Sequence, residues 1–183
     1  MTQAAALSFR AGPGALQAIR KHGFSAELVG TMAGASGGAK WLVLSKLDRV
    51  VAATLTPDLR GPVHLIGSSI GAWRFAALSQ PDPLDALDRF REAYIQQTYA
   101  TAPTAAEVTA ESRDVMDRYL PEEAVPEILA HPWCRMNSLA VRCRHMTDRE
   151  DKPGMAMGLA GAVAANLIGR RYLGHFFERT LFH

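Results

Sequence analysis

One stretch constrains the fold more than any other: Pro62-Val63-His64-Leu65-Ile66-Gly67-Ser68-Ser69-Ile70-Gly71-Ala72-Trp73-Arg74. Val63, Leu65 and Ile66 form a short apolar run suited to a buried strand. Residues 67–71 then read G-x-S-x-G, and residues 72–78 read as the start of a helix. Strand, G-x-S-x-G, helix is the context in which a serine is held on a sharp turn with its hydroxyl presented for attack. Side chains at positions 67 and 71 would collide as the turn folds back, and the serine itself is expected in a strained backbone conformation. Ser69 would then sit at a helix N-terminus, where free N–H groups stabilise an oxyanion.

A second stretch, residues 27–41, has the same grammar: Glu27-Leu28-Val29-Gly30-Thr31-Met32-Ala33-Gly34-Ala35-Ser36-Gly37-Gly38-Ala39-Lys40-Trp41. Leu28 and Val29 suggest a strand at about 27–32, and residues 38–54 carry a helical apolar stripe with Lys46, Asp48 and Arg49 outside it. Gly34, Gly37 and Gly38 let backbone N–H groups face a ligand, and Lys40 adds positive charge. Gly34 to Gly38 also spell G-x-S-x-G, so Ser36 is an alternative nucleophile, with residues 12–14 as its donor loop.

These two motifs carry a resemblance. Gly37-Gly38-Ala39-Lys40 resembles the glycine-rich oxyanion motif of patatin-like phospholipases, G-G-G-x-[K/R]-G, and Gly67-Ser68-Ser69-Ile70-Gly71-Ala72 resembles that family's G-x-S-x-G-A nucleophile turn. Ser36 and Ser69 lie 33 residues apart, a similar order and spacing. The likeness covers residues 27–80 in motif detail. Ser36 stands where the family has its first glycine and Trp41 where it has its last. The resemblance implies a serine acyl hydrolase that cleaves lipid or other acyl esters through an acyl-enzyme. Ser69 is the implied nucleophile, Gly37 and Gly38 the oxyanion donors, Gly67 and Gly71 the turn glycines, and Lys40 a supporting cation. It implies no metal and no organic cofactor, and allows peripheral contact with a membrane. The family's base is an aspartate in a D-G-[G/A] motif, and this sequence contains no Asp-Gly pair. The expectation is therefore a single patatin-like domain over 1–183 that is cut short, with an inactive lipid- or protein-binding remnant as the alternative.

The bulk properties exclude other classes. With 183 residues, 48% hydrophobic and 21% charged, the chain can bury one core. A net charge of +2 and no basic run give no footing for nucleic acid. Cys134 and Cys143 lack a C-x-x-C pattern, which suggests free thiols and a cytoplasmic protein; His131, Cys134, Cys143 and His145 match no common zinc spacing. No secretory signal is visible, and the apolar run 155–169 is about 15 residues, short of the ~20 that span a bilayer. That run is read as a buried helix. A dinucleotide-binding turn is the weaker rival, because position 40 is lysine, not glycine, and the second strand ends in Gly67-Ser68 with no acidic ribose ligand.

In chain order, the expected architecture is α/β: a parallel sheet core with flanking helices and a helical insert at about 82–131. Residues 7–10 read as a strand or extended lead-in. Pro13 starts a helix that Gly23 ends. The insert holds helices at 83–99 and 105–120, the second capped by Thr104 with Glu107, and a short one within 121–131. A strand at 139–143, a charged turn at 148–153, a helix at 155–171 and a strand at 179–182 complete the chain. The alternation puts both glycine-rich turns at the carboxyl ends of neighbouring parallel strands, the edge where open α/β sheets bind ligands.

Overall fold

A computed structural model describes residues 10–183; residues 7–9 of the expected lead-in lie outside them. Its sheet has four strands in spatial order β1 (Thr31–Gly34), β2 (Val63–Ser68), β3 (Cys134–Cys143) and β4 (Phe177–Phe182). The first three are mutually parallel and β4 runs antiparallel to β3. The fold is α/β, with a mostly parallel sheet and flanking helices. The register pairs Gly34 with Gly67 and Gly67 with Ser138, so β1 and β2 end together, as the motif order requires. β3 runs on past that edge, and β4 pairs only with its extension, residues 138–143.

The strand expected at 27–32 lies elsewhere. Residues 26–28 form a 3-10 turn, and β1 begins at Thr31 and runs into the glycine motif itself. Leu28, the residue that prompted the expectation, is 42% exposed. Pairing with β2 has drawn Gly34 into the sheet in its place.

The helix expected over 38–54 is present as a broken one. It runs as a 3-10 segment (Gly38–Leu44), helix α2 (Ser45–Val50), a π turn (Val51–Leu55) and a further 3-10 turn (Thr56–Asp58). The hydroxyls of Thr54 and Thr56 donate to the carbonyls of Val50 and Ala52, the back-bonding that bends helices. Helix α1 (Pro13–His22) ends at Gly23 with φ 78°, the left-handed value that favours glycine.

Between β2 and β3 the chain makes α3 (Ile70–Leu78), α4 (Pro83–Ile95), α5 (Ala105–Tyr119) and α6 (Ala124–Leu129). Asp82 and Thr104 cap α4 and α5 through their side chains. The Thr104 box is only half made, since the Glu107 carboxylate accepts the N–H of Ala100 instead. On α4 the buried face is Ala86, Leu87, Phe90 and Ala93, while Ile95, where the helix stops, is exposed. The acidic and basic residues of α4 reach out of the helix: Asp88 pairs with Arg49, and Arg89 joins Asp85 to Gln80 and the Tyr119 carbonyl.

The core condenses around aromatic rings. Trp41 stacks on Phe90 with centroids 4.5 Å apart and planes 15° from parallel, and Phe90 lies 4.7 Å from Tyr119. All three are nearly inaccessible. Such pairs are each worth about 0.5–1.5 kcal/mol beyond the area they bury. Trp41 thus fastens the 3-10 segment behind the first glycine turn to α4 and α5. Its indole N–H finds no partner, the one buried unpaired side-chain donor among the described residues.

The C-terminal segment departs from its expected burial. Helix α7 (Lys152–Ile168) starts three residues early because the Asp151 carboxylate caps it through the Gly154 N–H. Only Gly154, Gly158 and Ala162 are buried, while Met157, Val163, Leu167 and Ile168 are exposed. Gly158 packs on the backbone of Met146 and Thr147, so α7 presses its small residues against a 3-10 turn and leaves its large ones outside. No helix among the described residues is long and apolar enough to cross a membrane. β3 begins at Cys134, five residues before the expected strand: Cys134-Arg135-Met136-Asn137 holds no β-branched residue and is ordered by pairing with β2.

Trp41→Ala is expected to cost about 3–5 kcal/mol, the usual loss for a buried aromatic. Trp41→Phe keeps the stack and removes an unpaired donor whose burial costs about 1–3 kcal/mol. Urea unfolding should therefore place Trp41→Phe within about 1 kcal/mol of the parent chain, well apart from Trp41→Ala.

Candidate functional site

Ser69 occupies the turn between β2 and α3 with φ 52° and ψ −128°. Apart from His145 it is the only described residue other than glycine with positive φ. A serine held there stores about 1–3 kcal/mol of backbone strain. Its carbonyl accepts the N–H of Ala72 and Trp73, which starts α3 directly beneath it. The hydroxyl is therefore exposed at the helix N-terminus, where the dipole and unpaired N–H groups favour negative charge.

The glycines around it are demanded by space. A Cβ on Gly67 would overlap the backbone of Ala72, and one on Gly71 would overlap the Gly34 carbonyl. A Cβ on Gly34 would come within 2.9 Å of both the Gly71 carbonyl oxygen and the Phe75 ring. The end of β1 thus lies against the first turn of α3 with no side chain between them.

The first glycine turn follows from that contact. Gly38 has φ 51°, and the Lys40 N–H closes the turn on the Gly37 carbonyl at 3.2 Å. Gly37, Gly38 and Lys40 are all exposed at the same sheet edge as Ser69. Ser36 is drawn to the neighbouring turn: its Oγ donates to the Ser68 carbonyl at 3.2 Å and lies 3.1 Å from the Ser68 hydroxyl. Ser36 does not share the strained backbone of Ser69. Gly12 caps α1 and Gly14 lies inside it, which commits residues 12–14 to a helix start.

Beside Ser69 runs an apolar groove of about 380 Å3. Ser69, Ala72, Trp73 and Ala76 form one side, the i, i+3, i+4, i+7 face of α3. Opposite stand Met116 and Leu120 at the end of α5, Val125 and Leu129 of α6, and Met136 of β3. Apart from Met136, this wall comes from the helical insert. The sequence reading reached Ser69 without the groove, although the spacing of Trp73 and Ala76 from Ser69 was legible as one helical face.

Arg74 is nearly buried and forms a two-point ion pair with Asp48, joining α3 to α2. The pair couples the helix behind Ser69 to the one behind the glycine-rich turn.

Other titratable candidates are engaged elsewhere. His64 points away along β2, with Nδ1 3.4 Å from Asn137 Nδ2. His131 Nδ1 accepts the Cys134 N–H, and its imidazole titrates below its ordinary range through burial and the nearby Arg135 charge. Cys134 lies 3.0 Å from the Ser79 hydroxyl, and burial pushes its thiol up. Burial likewise raises the phenols of Tyr119 and Tyr94, the latter helped by Tyr99. Cys143 ends β3 and His145 follows it in the next turn, and no group of three metal-ligating side chains forms among the described residues. Asp148 is exposed, and Asp151 is spent on capping α7 and pairing with Arg149. No histidine or carboxylate among the described residues hydrogen-bonds Ser69.

Two outcomes follow. Ser69→Gly removes the strain and should raise stability by about 1 kcal/mol in chemical denaturation, whereas Ser69→Ala retains the strain and should not. His131 is neutral when folded and takes up a proton when unfolded. Its contribution is complete above about pH 6.5 and is lost as pH falls through that value towards the lowered folded pKa. A denaturation series from pH 8 to 5 should show stability falling below about pH 6.5, with a shallower fall in His131→Asn.

Compared with protein-family models, with curated proteins and with solved structures, the chain matches none of them.

Proposed function

We propose that this chain is a patatin-like serine acyl hydrolase whose nucleophile is Ser69. The observation that carries the reading is the strained Ser69 backbone, at a helix N-terminus and at the side of an apolar groove. Strain at an exposed serine is hard to account for by packing, and it is the known cost of presenting a hydroxyl for attack. The resemblance of residues 37–40 and 67–72 to the family's two motifs points the same way.

In this reading the acyl part of a lipid or similar ester lies along Trp73, Met116, Leu120, Val125, Leu129 and Met136. Ser69 Oγ attacks the carbonyl carbon, and the ester C=O becomes a tetrahedral oxyanion. Backbone N–H groups of Gly37 and Gly38, with the α3 terminus, stabilise that charge. The C–O bond to the alcohol then breaks, the alcohol leaves with the serine proton, and water hydrolyses the acyl-enzyme. Lys40 adds positive potential at the turn. The apolar groove favours an acyl ester over a nucleotide, whose phosphates want donors and cations along the whole cleft.

A second reading has its own support. No base is bonded to Ser69 among the described residues, and the sequence holds no Asp-Gly pair. A chain with the elbow and groove but no base would bind acyl groups without turning them over.

Labelling with a fluorophosphonate probe separates the two. The hydrolase reading expects labelling that Ser69→Ala abolishes and Ser36→Ala only slows. An unlabelled but folded parent chain that still retains a fluorescent fatty acyl probe would establish the binding reading. Labelling that survives Ser69→Ala and vanishes in Ser36→Ala would transfer the nucleophile to the first turn.

A further inference from the structure

The two glycine-rich turns meet at three places. The backbones of Gly34 and Gly71 are in contact with no room for a Cβ, and the Ala35 carbonyl lies 3.0 Å from where a Gly71 Cβ would stand. The third is the Ser36 hydroxyl on Ser68. The first two fix where β1 ends. They do not fix the conformation of Gly37 and Gly38, which follow with φ −177° and +51°, exposed and with open space around Gly38. Two successive glycines carry the largest conformational entropy a chain can have. Left alone, their N–H groups would sample many directions, and an oxyanion donor is effective only when its direction is set beforehand.

We propose that Ser36 is a positioning residue: its hydroxyl latches the Gly37-Gly38 turn to the Ser69 elbow through Ser68. The latch has two acceptors on one residue, the Ser68 carbonyl and the Ser68 hydroxyl, so it persists through rotation of the Ser68 side chain. Ser68 is adjacent to Ser69 and is the last residue of β2, paired with Leu139 of β3. Ser36 precedes Gly37 directly. A single hydrogen bond thus ties the residue before the donors to the residue before the nucleophile. The closing Lys40 N–H to Gly37 carbonyl bond holds the other end of the same turn. Glycine at position 36 would leave three consecutive glycines with no side chain to anchor them. The Trp41 stack on Phe90 supplies a rigid anchor downstream, and the Ser36 latch supplies the upstream one. The catalytic meaning of the latch rests on the reading of Ser69 as nucleophile; its existence as a restraint does not.

Hydrogen–deuterium exchange on the whole chain reads the restraint directly. Ser36→Ala and Ser36→Gly should speed exchange of the Lys40 amide, which is bonded to the Gly37 carbonyl, by about threefold to tenfold, the worth of one hydrogen bond. Amides of α4 and α5 should keep their protection, and Ser36→Thr, which retains a hydroxyl, should restore the parent rate. Unchanged exchange of the Lys40 amide, or an acceleration shared equally by α4 and α5, overturns the latch. Fluorophosphonate labelling reads its role in positioning: Ser36→Ala should lower the labelling rate by up to about a hundredfold, with recovery in Ser36→Thr. Equal rates in parent and Ser36→Ala overturn that role. A parent chain that takes no label defeats the hydrolase reading alone, because the exchange result still decides the latch.

Discussion

Everything at the candidate site depends on one contact, that of the Gly34 and Gly71 backbones. Strand and helix rarely approach so closely, since a Cβ on either glycine would overlap the other's main chain. The contact sets the register of β1 on β2, with Gly34 opposite Gly67. It also holds the first turn of α3, directly after Ser69, against the end of β1. Gly67 completes the arrangement by admitting the backbone of Ala72. Three missing side chains let two turns from separate parts of the chain share one small volume.

Strain at Ser69 must be held by something stiffer than the turn. Behind it, α3 buries Ile70, Phe75, Ala77 and Leu78, and Arg74 makes a nearly buried two-point pair with Asp48 on α2. The geometry of an arginine fork on a carboxylate is directional. It therefore fixes the rotation of α3 as well as its distance from α2. The Trp41–Phe90–Tyr119 stack does the same for the segment behind the other turn. Both turns are loops at the surface, and both are rooted in the same core.

How much of this the sequence discloses depends on range. The Ser69 turn was legible because every requirement is local: an apolar strand, two glycines at fixed offsets, a helix start. The parallel pairing of the two motif strands followed from their alternation with helices, whereas the place of β3 beside β2 did not. β1 was misplaced because Leu28 and Val29 look like a strand, while the true strand contains glycine and is defined by its partner, β2. The Asp48–Arg74 pair and the groove wall were invisible, for they join residues 26 or more positions apart. The insert's helices were read correctly as elements, but their role as a wall opposite Trp73 needs the third dimension.

The exposed side of α7 bears on the same division. Its large apolar residues, Met157, Val163, Leu167 and Ile168, are exposed, while its small residues Gly154, Gly158 and Ala162 are buried. A periodicity argument assigns large residues inward, and here steric fit has overruled it. Gly158 lies against the Met146 and Thr147 backbone so tightly that no larger residue fits, and that contact dictates which face turns in. The rule matches the one at Gly34 and Gly71. In both places the absence of a side chain decides the packing, and the hydrophobic residues take the positions that remain.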